Sequence, residues 1–308
     1  MHKVLIATEK PFSSSAIREI QEIIEDAEMK LEVLENYSSE EELINSLADS
    51  DALIVRSDKV TCNVLEAAKN LKIVVRAGAG YDNLDLVTCT SNGVVAMNTP
   101  GQNSNAVAEL VFGLLIYGAR NNFNGTVGNE LRGKAIGIHA YGNVGYYVGK
   151  IAHGFGMKVF GYDPYVSNDR MQSHGVEPVS SVEDLYRTCE YISLHIPAND
   201  ITEKSINKSL ISMMPEGAAI VNTARKEIIN EDELIEVMSQ RDDLMYLSDI
   251  SPDKSDTLLE KFPGRVFFTP KKMGAQTHEA NLNAGIAAAR QIVSYFVSGD
   301  ETHRINRQ

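Results

Sequence analysis

Short, unbroken apolar runs rich in Val and Ile recur along this chain, each separated from the next by an amphipathic stretch, and that alternation admits few folds. The runs Val4–Thr8, Leu31–Leu34, Ala52–Val55, Ile73–Val75 and Val94–Met97 read as strands. Ala16–Ile24, Glu41–Leu47 and Val64–Leu71 carry helical spacing between them. A strand that is apolar on both faces must be covered on both faces, and this requires a parallel sheet with helices above and below. The pattern then restarts, with Ala135–His139, Lys158–Tyr162, Tyr191–Ile196, Ala218–Asn222, Leu244–Ile250 and Val266–Thr269 as further strands. With 308 residues there is enough chain for two cores. The expected class is α/β, built from two doubly wound halves with parallel sheets.

Two longer helical patterns flank the second half. Asn103–Arg120 places Val107, Leu110, Val111, Leu114 and Leu115 on one face, and Glu279–Phe296 does the same with Ala284, Ala288 and Ile292. Long enough to join the halves, they suggest that the chain crosses over and returns. The first half is then discontinuous, residues 1–99 with 287–308, around a contiguous second half, 100–286.

The 29 Lys and Arg face 42 Asp and Glu, for a net charge of −13, a field that repels phosphate backbones and anionic lipid surfaces. Neither nucleic acid nor membrane is an expected partner. A small anionic substrate would have to be captured by a few positive groups in a cleft. Cys62, Cys89 and Cys189 are odd in number and widely spaced, which fits neither a disulfide framework nor a zinc site, and no other cluster has metal-ligand spacing. The N-terminal run Val4–Ala7 is too short for a signal peptide, and no run has the length of a membrane span, so a cytoplasmic location is expected.

The strongest local motif is Ala140-Tyr141-Gly142-Asn143-Val144-Gly145, which follows a strand and opens the helix Tyr146–Phe155, while the next strand ends at Asp163. Such a turn lets backbone approach a pyrophosphate at a helix N-terminus, and an acid about 20 residues on bonds a ribose 2′-hydroxyl. Asp163 would repel a 2′-phosphate, so NAD is favoured over NADP. The first position is Ala140 where the fingerprint has glycine; alanine serves if the turn there does not need positive φ. Further on, Arg225 falls just past the carboxyl end of a strand, the edge where open α/β sheets bind ligands, and its planar fork suits a carboxylate with an adjacent carbonyl.

Taken with Val55-Arg56-Ser57, Arg76-Ala77-Gly78-Ala79-Gly80-Tyr81-Asp82-Asn83, Asn98-Thr99-Pro100 with Asn103, Ser193-Leu194-His195-Ile196-Pro197 with Thr202, Asn222-Thr223-Ala224-Arg225 and Asp249, the glycine turn resembles the D-isomer-specific 2-hydroxyacid dehydrogenases. The resemblance spans nearly the whole chain, with the motifs in the family's order, and is closest to the short phosphoglycerate-oxidising branch. It implies two Rossmann-like domains, a substrate domain formed from both chain ends, an active site in the cleft between the domains, and a homodimer. Residue by residue, it implies that Arg225 binds the substrate carboxylate and polarises the carbonyl, and that Asp249 holds the nicotinamide carboxamide. Tyr141, Gly142, Asn143, Val144, Gly145, Asp163, His195, Pro197, Thr202 and Thr223 would line the NAD site. Backbone N–H groups of Gly78, Ala79 and Gly80 would meet the carboxylate, with Ser57 and Asn103 nearby. Arg56 would meet a substrate phosphate, with Lys59 or Arg76 as weaker candidates. The implied reaction is NAD-dependent oxidation of 3-phospho-D-glycerate to 3-phosphohydroxypyruvate, the entry step to serine by the phosphorylated route. Hydroxypyruvate or glyoxylate reduction is the alternative within the class, and a non-catalytic NAD-sensing protein is the alternative outside it.

Three departures from the family pattern qualify this. Where the family has a histidine after Thr-Pro, this chain reads Thr269-Pro270-Lys271-Lys272-Met273-Gly274, which puts Lys272 at the acid–base position with Lys271 beside it. The glutamate that supports that histidine is replaced by Lys254, with Asp253 the nearest acid. The changes agree chemically. A carboxylate helps an imidazole act as a base, whereas a lysine must be brought down from about 10.4, by burial or by a cation such as Arg225. The segment Gly118–Lys134, which in the family helps form the dimer, is short and carries no tryptophan. Among the remaining histidines, His139 reads as a buried strand residue, and His278 as the fallback acid–base.

Overall fold

The computed structural model describes residues 1–307, which form two compact units: residues 1–103 with the return segment from Gln276, and Ser104–Ala275. The first unit is built on five parallel strands, β1 (Lys3–Thr8), β2 (Lys30–Glu35), β3 (Ala52–Val55), β4 (Ile73–Arg76) and β5 (Val95–Asn98), in the order β2-β1-β3-β4-β5. β3 is buried along its whole length, and β1 and β4 nearly so, because helices cover both faces. At the edge, β2 alternates charged and apolar residues and stays half-exposed. The turns into the helices are set by side-chain caps: Ser13, Ser39, Thr61 and Asp85 each accept an N–H from the first turn of the helix that follows.

The long helix His278–Ser298, capped by Thr277, closes one face of this unit against the helix Ser14–Asp26. Its Ala284, Ala288, Ala289 and Ile292 join Ile6, Ile20, Ile54 and Val75 in one core, which is why the return segment belongs here from Gln276 onward. The free edge of β5 is covered by the residues after that helix. Ile305 donates its N–H to the Ala96 carbonyl (2.9 Å), and the buried Asn306 side chain accepts from Ala96 N (3.0 Å) and donates to Val94 O (2.9 Å).

The second unit has seven parallel strands, β6 (Ala135–His139), β7 (Lys158–Tyr162), β8 (Glu177–Pro178), β9 (Tyr191–Leu194), β10 (Ala219–Asn222), β11 (Met245–Ser248) and β12 (Val266–Phe268), in the order β12-β11-β10-β9-β6-β7-β8. The order reverses at β6 and β9, so the helix after β6 and the loop after β9 leave the sheet at a topological switch point. The helix Ser104–Ala119 packs on β10, β11 and the helix Asn143–Gly154, burying Val107, Val111, Leu114 and Leu115. Both units are thus α/β with doubly wound parallel sheets.

The chain passes between units at 103/104 and 275/276, not at 99/100 and 286/287, because each long helix packs as a whole into one core. Elsewhere the differences lie at strand ends, and in β8, a two-residue edge strand holding Pro178 that no apolar run announces.

Candidate active site

The second unit's glycine turn is shaped for close approach. Gly142 caps the helix Asn143–Gly154 with no side-chain bond, and the N–H groups of residues 142–145 have no acceptor among the described residues. A Cβ on Gly145 would lie 2.6 Å from the Ala140 carbonyl oxygen and 2.9 Å from Ile138 Cγ2, so only glycine lets the helix pack this tightly on β6. Ala140, however, stands at φ +78°, in the left-handed region. The turn needs positive φ here after all, and the alanine is held there against its own preference. Asp163, at the end of β7, accepts the Tyr141 N–H (2.8 Å) through Oδ2 and the Tyr165 N–H (2.8 Å) through Oδ1, so acid and turn are one bonded unit. Asn143 is exposed and Val144 half-buried on the first turn of the helix.

On the other side of the switch point, His195 donates its N–H to the His139 carbonyl (2.9 Å), and its Nε2 lies 2.8 Å from Ser193 Oγ. Burial, reinforced by the neighbouring His139, pushes the His195 pKa down to about 3. His139, whose Nδ1 is 3.3 Å from the Tyr186 hydroxyl, is pushed down to about 4 by burial. Both imidazoles are therefore neutral. Thr202 donates Oγ1–H to the Pro197 carbonyl (2.6 Å) and closes the loop after β9.

At the ends of β10, β11 and β12 the unit gathers its charged groups. The Asn222 side chain orders the loop after β10: Oδ1 accepts the Ala224 N–H (3.0 Å) and Nδ2 donates to the Arg225 carbonyl (2.9 Å). The Ala224 carbonyl then receives two cations, Arg225 Nη1 at 2.9 Å and Lys272 Nζ at 2.6 Å. Asp249, fully buried just past β11, accepts the Gly274 N–H through Oδ2 (2.8 Å). Its Oδ1 is buried without a partner, as is Thr223 Oγ1. Burial raises the Asp249 pKa, opposed by Lys272, the 273–274 backbone and Arg225.

These observations test whether the residues fit a nicotinamide dinucleotide, and they do. Donors without acceptors stand at the helix start where a pyrophosphate would lie, while a buried acceptor without a donor stands where a carboxamide N–H₂ would bond. Lys254 pairs with Asp232 and Asp253 with Lys226, so neither replaces the missing glutamate beside Lys272. Lys271 is exposed, its carbonyl accepting from Thr269 Oγ1 (2.8 Å). His278 is exposed at the start of its helix, in the first unit.

In the first unit, Arg56 does not present an open guanidinium. Its Nη1 donates to the carbonyls of Lys10 (3.0 Å) and Pro11 (3.2 Å), its Nη2 to Asn281 Oδ1 (2.6 Å), and it stacks over the Phe12 ring. Arg76 is better placed beside the glycine loop: a Cβ on Gly78, at φ +152°, would collide with its guanidinium at 1.6 Å. The loop's carbonyls are anchored, Gly78 O by Thr99 N (3.0 Å) and Ala79 O by Asn98 Nδ2 (2.6 Å). The Gly78 N–H is turned onto the Arg76 carbonyl (2.8 Å), whereas those of Ala79 and Gly80 have no acceptor among the described residues. The carboxylate donors thus reduce from three N–H groups to two. Ser57 is exposed, and Asn103 ends the first of this unit's two segments. Sequence reasoning missed Asp58 and gave Asn83 no role, though both tie this edge together, and it missed the Ala224 carbonyl; backbone acceptors leave no residue-type signal.

Comparison with known proteins agrees with this geometry. Residues 116–270 match the family model described as D-isomer specific 2-hydroxyacid dehydrogenase, NAD binding domain. The chain is 36% identical over 309 residues to a D-3-phosphoglycerate dehydrogenase of Methanocaldococcus jannaschii, covering 95% of this chain and 57% of that protein. It is 36% identical over 282 residues to a hydroxypyruvate reductase of Thermotoga maritima, covering 85% and 90%. Among solved structures, the NAD⁺-bound 3-phosphoglycerate dehydrogenase of Entamoeba histolytica superposes with a TM-score of 0.89 at 43% identity, covering 99% of both chains. The chain spans a little over half the length of several phosphoglycerate dehydrogenases it matches.

Proposed function

This chain belongs to the D-isomer-specific 2-hydroxyacid dehydrogenases, and from that premise we propose that it catalyses NAD-dependent oxidation of 3-phospho-D-glycerate to 3-phosphohydroxypyruvate, and the reverse reduction. The observation that carries the proposal is the convergence of Arg225 and Lys272 on the Ala224 carbonyl, within the field of Asp249. It puts a carboxylate-binding fork and an amine at one strand edge, as oxidation of a 2-hydroxy acid demands.

When bound, NAD supplies the acceptor for the hydride that leaves C2. The chain supplies the rest. Arg225 binds the carboxylate and polarises the C2 oxygen. Lys272, held at the Ala224 carbonyl beside Arg225, takes the hydroxyl proton in oxidation and returns it in reduction. Asp249 Oδ1 accepts from the carboxamide, and the N–H groups of residues 142–145 receive the pyrophosphate. Asp163, at the end of β7 and bonded to the turn, would repel a 2′-phosphate and so favours NAD. Within the first unit, Arg76 takes the role of anion-binding cation first assigned to Arg56, with the Ala79 and Gly80 N–H groups in the same loop.

The test is NADH consumption by the purified protein with 3-phosphohydroxypyruvate, beside hydroxypyruvate, glyoxylate and pyruvate at equal concentration, with NADPH as control. Preference for the phosphorylated acid with NADH is expected. Preference for hydroxypyruvate would move the chain to the reductase reading, which the Thermotoga maritima relative favours. NADH binding without reduction of any 2-keto acid would leave a dinucleotide sensor.

We place the enzyme in the cytoplasm as a homodimer. No helix among the described residues is long and apolar enough to cross a membrane. The dimer is supported by the short arm: Phe123 and Val127 are exposed near an open groove of about 300 Å³ lined by Ile116, Leu131 and Phe155. Sedimentation of Val127→Lys beside the parent chain tests it, with a shift toward monomer expected.

A further inference from the structure

The chemistry assigned above leaves one buried charge of the first unit unused. Asp58 is 4% exposed and forms no ion pair among the described residues, yet its carboxylate is fully engaged. Oδ1 accepts the N–H of Glu9 (2.6 Å) and the hydroxyl of Tyr37 (3.0 Å), and Oδ2 accepts the N–H of Arg56 (3.1 Å). Glu9 directly follows β1, Tyr37 lies two residues past β2, and Arg56 directly follows β3. These strands are neighbours in the sheet, so one carboxylate fastens three adjacent strand ends.

The fastening continues across the rest of the edge. Asn83 Nδ2 donates to the carbonyl of Asp58 (2.7 Å) and, at 3.4 Å, to that of Arg56, which also accepts Arg76 Nε (2.9 Å) from the end of β4. Arg76 lies over Gly78, and the loop 78–79 is held to the end of β5 by Thr99 and Asn98. A bonded seam therefore runs along the carboxyl edge from β2 to β5, and every group assigned to substrate in this unit sits on it or beside it. A buried carboxylate is costly compared with an apolar side chain of the same size, and its use here gives one shape to loops that local sequence leaves free.

We propose that Asp58 is a positioning residue for the substrate: by holding the ends of β1, β2 and β3 in one arrangement it fixes the seam on which Arg76 and the Ala79 and Gly80 N–H groups present themselves to an anionic 2-hydroxy acid. This rests on the dehydrogenase reading for its substrate, and on the geometry alone for its coupling of the strand ends.

The experiment compares the parent chain with Asp58→Asn and the milder Tyr37→Phe. It reads three quantities: NADH affinity by fluorescence titration, KM and kcat for 3-phosphohydroxypyruvate, and backbone hydrogen exchange. Asp58→Asn turns an N–H₂ toward a donor it previously bonded. The expected result is a KM raised about tenfold, a kcat changed less, NADH affinity within about twofold, and faster exchange in residues 9–12, 36–38 and 55–60 together. Tyr37→Phe should move KM and exchange the same way by a smaller factor, and it decides the matter if Asp58→Asn does not fold. Unchanged KM in the folded variants, exchange confined to residues 55–60, or parallel loss of KM and NADH affinity would each overturn the proposal. If the parent chain reduces no 2-keto acid, the dehydrogenase reading fails, and the exchange pattern still decides whether Asp58 couples the three strand ends.

Discussion

Asp58 and Asp249 occupy comparable positions in the two units, each buried just past the carboxyl end of a parallel strand, and they are treated in opposite ways. Asp58 is saturated, with donors from three strand ends on its two oxygens. Asp249 has one oxygen bonded to Gly274 N and the other with no partner, in a setting that raises its pKa. A folded chain leaves few buried acceptors unmatched. The contrast separates two settings of the same side chain: a matched carboxylate that shapes the protein around it, and one whose second oxygen finds no donor among the described residues.

Substitutions can break or sharpen that contrast. The largest effect is expected at the cluster around the unmatched group. Lys272→Ala should lower kcat at least about 100-fold while NADH affinity stays nearly unchanged, the loss typical of a missing acid–base group. Retained turnover would remove Lys272 from the chemistry and leave Asp249 beside a structural lysine. Asp249→Asn comes next. The amide oxygen can keep the Gly274 bond, but its N–H₂ would then face the carboxamide donor, so the NADH Kd should rise about tenfold or more with little loss of stability. If instead stability collapses and affinity holds, Asp249 is a shaping residue like Asp58 and the contrast disappears.

Smaller effects are expected from the neutral histidines. His139 and His195 have folded pKa values near 4 and 3, below the ordinary 6.5. Their contribution is fully present above that ordinary value, and is lost as pH falls from it through the folded values, because the unfolded chain binds the protons first. Urea midpoints between pH 7.5 and 5 should decline, and His139→Gln should flatten the slope. A decline unaltered by that change would place the acid sensitivity elsewhere. The smallest effect is at Ala140, whose positive φ costs an L-residue about 1–2 kcal/mol. Ala140→Gly should raise stability by up to about 1 kcal/mol, since glycine's extra freedom when unfolded offsets part of the relief, leaving NADH affinity within about twofold.

Much of the fold was legible because burial on both faces writes itself into composition. β3, β6 and β10 are buried throughout and apolar except for His139 and Asn222 at the ends of the last two, and β8, which lies at an edge and holds Pro178, was not legible. The glycine turn was legible because Gly145 answers a steric demand of the backbone. Ala140 misled because a residue type states a preference and packing can override it. Arg56 read as a cation for phosphate because charge is visible in sequence and hydrogen-bond partners are not; Lys10, Pro11 and Asn281 are distant in sequence and met only in the fold. Asp58 was passed over for the same reason, since its role lies in three contacts that no local pattern predicts.

The way the chain leaves the first unit and comes back to it bears on the order of events at the ribosome. Residues 104–275 form a contiguous unit, able to complete its own core as soon as they emerge. The first unit must wait. Its five strands are synthesised early, but one face of their sheet is closed by Ala284, Ala288, Ala289 and Ile292, which arrive only after the whole second unit has been made. During that interval the strands expose apolar surface, so of the two units the one begun earlier is finished later, and it is the one a chaperone would have more reason to hold.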